Sequence, residues 1–197
     1  LVSRAFMDTP SGDPVHVHAS WLSDLSEDVI VLSGGPLGPI GRAFAADRAD
    51  RAESRLAFLK DAFGERLYVE LQRQSGYDRA LEAKTVELAY AMELPLVATN
   101  EAFFLKAEDF EAHDALLAIA EGQILSNDDR RRLTPDHYLR SRAEMAMLFE
   151  DLPEALENTI EIAERCSWFT QTRNPILPRF TGESDDPEKG LEAEANE

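Results

Sequence analysis

The sequence predicts an α/β fold followed by a helical extension, on three observations. Three short apolar runs read as strands, helix-period segments of a dozen residues or more separate them, and no strand-like run follows Asn100. The first run, Val29-Ile30-Val31-Leu32, ends in Ser33-Gly34-Gly35-Pro36. The second, Leu67-Tyr68-Val69-Glu70-Leu71, follows Gly64-Glu65-Arg66, and the third, Leu96-Val97-Ala98-Thr99-Asn100, follows Pro95. The first and third lack alternation, as strands covered on both faces do. Between them, Ala52 to Phe63 sets Leu56, Leu59 and Phe63 on one stripe, and Tyr77 to Met92 does the same with Leu81, Val86, Leu88, Ala89 and Met92. Strands alternating with such helices predict βαβ units and a largely parallel sheet.

Beyond Asn100 the pattern is helical. Asp109 to Ala120 carries Phe110, Leu116, Leu117 and Ala120, and Gly122 stands where a C′ glycine stops a helix. A polar loop runs from Gln123 to Leu133. Thr134-Pro135 reads as N-cap and N1 of a short helix. Ser141-Arg142-Ala143-Glu144 is a capping box ahead of Met145, Leu148 and Phe149. Pro153 opens a last helix to about Trp168 through Ala155, Leu156, Ile160, Ile162 and Ala163. Consecutive helices with no strand between them predict an all-helical annex. The segment from Gly182 to Glu197 holds seven acids and one base, and reads either as a solvated end or as the first turns of another helix. The abrupt start at Leu1 and the character of this tail predict a piece of a longer protein.

Composition narrows the function. A chain of 197 residues, 44% hydrophobic, suffices for one globular domain with an appendage. Its net charge of −18, from 20 basic and 38 acidic residues, argues against a surface built to grip phosphates or an anionic membrane. No apolar run approaches the ~20 residues of a spanning helix. Leu1-Val2-Ser3-Arg4 does not begin a signal peptide. The single cysteine, Cys166, excludes an internal disulfide and a multi-cysteine zinc site, and a cytoplasmic location is expected.

Several groups are candidates for chemistry. His16-Val17-His18 could chelate an ion from one strand face, although two histidines do not complete a site; the alternative is a polar loop or strand end after Gly12-Asp13-Pro14. Glu70 interrupts an apolar strand, so its carboxylate points to a functional mouth, a solvated face or a pair with Arg73. Thr99-Asn100-Glu101 closes the third strand, at the end where α/β folds place their chemistry, but Ala102-Phe103-Phe104-Leu105 follows and reads as packed. His113-Asp114 would point apart on a helix, which favours a structural role. Ser33 to Gly38 lacks both the P-loop ending and the dinucleotide glycine spacing, and reads as a tight strand-to-helix turn. Arg130-Arg131-Arg132 makes only a weak basic patch beside Asp128 and Asp129. Cys166 reads as semi-buried packing.

Eight stretches in order carry a resemblance. They are Val31–Gly35, Leu67–Arg73, Leu94–Glu101, Asp109–Asp114, Tyr138–Ser141, Glu144–Phe149, Leu152–Thr159 and Ile162–Cys166. Together, from about Val29 to Phe180, the chain resembles the N-terminal region of the alpha subunit of family C bacterial replicative DNA polymerases. The resemblance implies a partial PHP (polymerase and histidinol phosphatase) domain, a distorted (β/α) barrel, followed by a helical extension. Residues 1–122 would be the C-terminal portion of that domain, 123–180 the extension leading towards the polymerase palm, and 181–197 an acidic tail or the next helix. Intact members of the family hold a metal cluster for phosphoester hydrolysis. Here Gly35 stands where the family has a cysteine, and Glu101 and Phe103 stand where it has an aspartate and a histidine. The family's H-x-H belongs to an earlier strand, so its role does not transfer to His16 and His18. The resemblance therefore implies a degenerate site with no catalytic residue, metal ligand or cofactor in this chain. It implies a scaffold that docks other subunits of the replicative holoenzyme, above all a proofreading exonuclease. The parent polymerase would use Mg and meet DNA elsewhere in its chain. The alternative is a metal-dependent phosphoesterase or proofreading exonuclease domain using His16, His18, Glu70 and His113.

Overall fold

The computed structural model describes residues 1–176 together with 188, 189, 192, 195 and 196. Two compact units divide the chain, Leu1–Arg165 and Cys166–Glu197. The first contains helices α1 (Val2–Asp8) and α2 (Ala19–Asp24), strand β1 (Val31–Leu32), helices α3 (Pro39–Ala45) and α4 (Ala49–Phe63), strand β2 (Leu67–Gln72), helix α5 (Arg79–Ala91) and strand β3 (Leu96–Thr99). Helices α6 (Phe110–Ala120), α7 (Arg142–Leu148) and α8 (Pro153–Arg165) follow.

The three strands form one parallel sheet in the order β1-β2-β3, which bears out the α/β reading. Val31 pairs with Leu67, and Val69 to Gln72 pair in register with Leu96 to Thr99. Leu96, Val97 and Ala98 are all buried, so β3 is covered on both faces as its apolar run requires, and Leu67, Tyr68 and Val69 are buried ahead of Glu70 on β2. β1 departs from the expectation, since Val31 is half-buried and Leu32 exposed at the edge of the sheet. Leu56, Leu59 and Phe63 of α4 and Ile40 and Phe44 of α3 pack on one side of the same core. α3 crosses close over the preceding turn: a Cβ on Gly41 would lie 2.3 Å from the carbonyl oxygen of Pro36, an approach that only glycine permits.

α3 begins directly after the strand-to-helix turn read at Ser33 to Gly38 and buries Ile40, Ala43 and Phe44 at i, i+3, i+4, whereas the short helices α1 and α2 have no counterpart in the sequence reading. α6 ends as expected. Gly122 has φ +63°, its N–H donates to Ile119 O and the N–H of Gln123 donates to Ala118 O, the paired bonds of a Schellman stop. The Ser141 capping box is present, with Ser141 Oγ accepting from Glu144 N–H and Glu144 accepting from Ser141 N–H at 2.7 Å. Together with Tyr138 and Ser141, these bonds hold the Glu144 carboxyl at about 2. Thr134-Pro135 does not start a helix. Residues Thr134 to His137 close a single turn through His137 N–H to Thr134 O at 3.1 Å, and His137 Nδ1, not a following helical N–H, occupies the Thr134 hydroxyl.

The last helices follow one another with no strand between them, as expected, and pack on the main core. Phe149 and Ala155 belong to the main core, and α8 lies along β3, where Asn158 Nδ2 donates to Leu96 O at 2.7 Å. In the second unit, residues 166–176 have no regular structure. Cys166 there is exposed, contrary to the semi-buried expectation. The acidic tail or helix expected at 181–197 lies mostly outside the described residues.

Candidate functional site

Because β1, β2 and β3 run parallel, their C-terminal ends share one edge of the sheet, the edge where α/β folds gather reactive groups. Glu70 stands there on β2, half-buried. Neither a solvated face nor a pair with Arg73 accounts for it. Its Oε2 accepts from the Gly34 N–H at 3.0 Å, and its Oε1 accepts from Gln72 Nε2 at 3.0 Å and Thr99 Oγ1 at 2.5 Å. The Glu70 N–H in turn donates to Ser33 Oγ at 2.9 Å. One carboxylate thus ties the turn after β1 to the end of β3. Protein donors fill three of its roughly four acceptor positions, which makes it a clasp between the strand ends.

Gly35, Glu101 and Phe103, the positions that the resemblance singles out, follow the ends of β1 and β3. Gly35 has φ +56°, and its missing Cβ faces the Gln72 side chain. Glu101 is exposed, 4.0 Å from His137 Nε2, beyond hydrogen-bond range. Phe103 donates its N–H to His137 O at 2.9 Å, and its ring lies 5.8 Å from His113 and 6.0 Å from His137. The segment Ala102 to Leu105, expected to be packed, is largely open: Leu105 is 71% exposed, and only Phe104 is half-buried. His137 is buried and spends Nδ1 on Thr134, whose N–H donates to it at 3.2 Å. His113 Nδ1 is buried without a hydrogen-bond partner.

His16 and His18 lie in an extended loop before α2, not on a strand, which removes the shared-face premise. His16 Nδ1 is 2.9 Å from Pro14 O, its ring meets that of His18 edge-on at 5.0 Å, and His18 meets Trp21 edge-on at 4.7 Å. Among the described residues, no three of His, Cys, Asp and Glu stand close enough to hold a metal ion. Of the three positions that the resemblance singles out, Gly35 and Phe103 carry no side-chain atom able to coordinate an ion.

His113-Asp114 is not a base with its orienting acid. Asp114 is buried and accepts from both Nη atoms of Arg130 at 2.6 and 2.5 Å, fastening the loop after α6 to the helix. One of the three consecutive arginines is thereby consumed inside the fold, and Arg132 lies 3.9 Å from the same carboxylate. The Arg130 hydrogen bonds hold the Asp114 carboxyl below its ordinary range. A carboxyl depressed in the folded state stabilises fully above its unfolded pKa of about 3.9, and that stability is lost as pH falls through the lower folded value. Asp114→Asn is therefore expected to have a lower urea midpoint near neutrality and a smaller further loss on acidification. Urea titrations across the acid range check this; parallel curves for the two proteins would contradict it.

Sequence reasoning named Arg73 only as a possible partner of Glu70 and missed the partners it has. It lies just past β2, 5% exposed, and all its N–H groups are engaged. Nε and Nη2 donate to Glu82 at 3.0 and 2.7 Å, Nη1 to Leu148 O and Asp151 at 2.6 Å each, and Nη2 also to Asp151 at 2.9 Å. Its guanidinium sits 4.5 Å over the Phe149 ring. These bonds raise its pKa further above the ordinary arginine value. The only signal in the sequence was a basic residue placed directly after an apolar strand.

Residues 1–74 match the family model of the PHP domain. Over 200 residues, all of this chain and 17% of the relative, the sequence is 43% identical to DNA polymerase III subunit alpha of Caulobacter vibrioides. It is 42% identical over 91% of the chain to the subunit of that name in Pseudomonas aeruginosa, and 38% identical over 91% to that of Escherichia coli K12, covering 16% of each. The chain spans about one sixth of the length of these relatives.

Proposed function

We propose, from the premise that the chain carries a PHP domain and is homologous along its length to a segment of DNA polymerase III subunit alpha, that it serves DNA replication as a scaffold without chemistry of its own. The observation that carries this reading is the hydrogen-bonded clasp at Glu70. Where intact family members would present ligands to an ion, this carboxylate holds the Gly34 turn and Thr99 together, and Gly35 and Phe103 offer no coordinating atom. In this reading residues 1–122 close the PHP domain and 123–180 lead towards the palm of the parent polymerase. The parent supplies nucleotidyl transfer with Mg, and contacts DNA through other regions. The scaffold docks further subunits of the polymerase III holoenzyme, a proofreading exonuclease first among them, in the cytoplasm. No helix among the described residues is long and apolar enough to cross a membrane.

Elemental analysis of the purified chain, paired with hydrolysis assays on p-nitrophenyl phosphate and a 3′-labelled DNA strand in zinc or manganese, tests the reading. Substoichiometric metal and no turnover above blank are expected. Stoichiometric zinc or manganese that disappears in His16→Ala, His18→Ala or Glu70→Gln would overturn it.

A further inference from the structure

On the outer surface of the first unit, α2, the turn before α3, and α4 border a groove of about 520 Å³. Val17, Leu22, Leu37 and Phe58 line it, with Arg42 and Arg55 beside them, and no carboxylate does. That is unusual in a chain with 38 acidic and 20 basic residues. Leu37 is 70% exposed and Val17 42%, so the apolar lining reaches the surface. Both arginines are exposed, and Arg55 uses one Nη1 on Pro39 O at 2.7 Å, which fixes its stem along the groove.

An open apolar trough flanked by cations favours a ligand with apolar anchors and carboxylates beside them. A second copy of this chain is disfavoured, because two molecules of charge −18 repel one another. A short bound segment feels mainly the nearby charges, since at physiological salt the screening length is about 8 Å. We propose that this groove docks an acidic amphipathic segment of another protein, its apolar side chains between Leu22, Leu37 and Phe58 and its carboxylates against Arg42 and Arg55. The inference rests on the groove's own chemistry and stands whether or not the site at Glu70 is inert.

The test is selection of a random peptide library on the immobilised full chain, followed by anisotropy titration of the enriched peptides in labelled form. Enriched sequences are expected to place Asp or Glu beside Leu, Ile or Phe at helical spacing. Arg42→Glu and Leu37→Asp should each weaken them by roughly tenfold or more, while Arg51→Glu, on α4 but outside the groove, should leave them unchanged. Both groove variants alter exposed side chains, and a thermal melt of each confirms the fold, so loss of one protein leaves the other to decide. No enrichment, enriched peptides without acidic residues, or equal weakening by Arg51→Glu would overturn the proposal. So would a dimer in sedimentation that Arg42→Glu dissociates, which would assign the groove to a second copy.

Discussion

Replacing Arg73 by alanine is expected to lower the unfolding free energy by about 3 kcal/mol. The guanidinium joins three parts of the chain that are distant in sequence: the end of β2, Glu82 on α5, and the corner between α7 and α8 at Leu148 and Asp151. Removing it leaves the Glu82 carboxylate, whose side chain is only 11% exposed, without its counter-charge, and leaves the Leu148 carbonyl without that donor. Breaking a buried pair costs about 3–5 kcal/mol in general. The lower end applies here because the Asp151 side chain remains 49% exposed and regains water. Arg73→Lys should recover only part of the loss, since an ammonium cannot make both forked contacts at once. Urea denaturation of the three proteins measures this; a loss below about 1 kcal/mol in Arg73→Ala, the range of surface ion pairs, would show that the hub is not energetically buried.

Phe149→Ala is expected to cost about 3–5 kcal/mol, the range for deleting a large aromatic side chain from a packed core. Phe149 is fully buried, and it brings the end of α7 into the same core as Leu56, Val69 and Leu96. The form of the transition is as informative as its midpoint. If the helical passage is integral to the unit, circular dichroism and tyrosine fluorescence will report one coincident unfolding step. A two-step curve in which the helices melt before the sheet would contradict the shared core. Because the Arg73 guanidinium lies 4.5 Å above this ring, the Arg73 and Phe149 changes should not add. A double-mutant cycle should return a coupling of about 0.5–2 kcal/mol.

The sheet was legible in the sequence because burial on both faces leaves a plain mark. Val69, Leu71, Val97 and Ala98 must all be apolar when no side of the strand meets water. The Ser141 box and the Gly122 stop were legible for a similar reason, since each motif is satisfied by residues within a few positions of itself. What failed to show were arrangements settled by distant partners. Thr134-Pro135 carries every local sign of a helix start, yet His137 takes the threonine side chain and the chain turns instead. Arg73 finds Glu82 nine positions away and Asp151 seventy-eight positions away, and no local pattern announces such a meeting. Glu70 was visible as an anomaly within an apolar strand, but its donors, Gly34 and Thr99, come from the neighbouring strands' ends. Position alone could therefore say that Glu70 mattered and not what it held.

The turn at Gly35 bears on how such a domain can change over time. A thiol at that place meets two obstacles together: a backbone with φ +56°, which costs side-chain-bearing residues about 1–2 kcal/mol, and the Gln72 amide, 2.7 Å from where the new carbon would stand. Gln72 cannot swing away freely, because it donates to Glu70. Any side chain introduced at Gly35 must therefore displace Gln72 and with it one of the donors to Glu70, so the turn after β1 and the clasp on β2 can change only together.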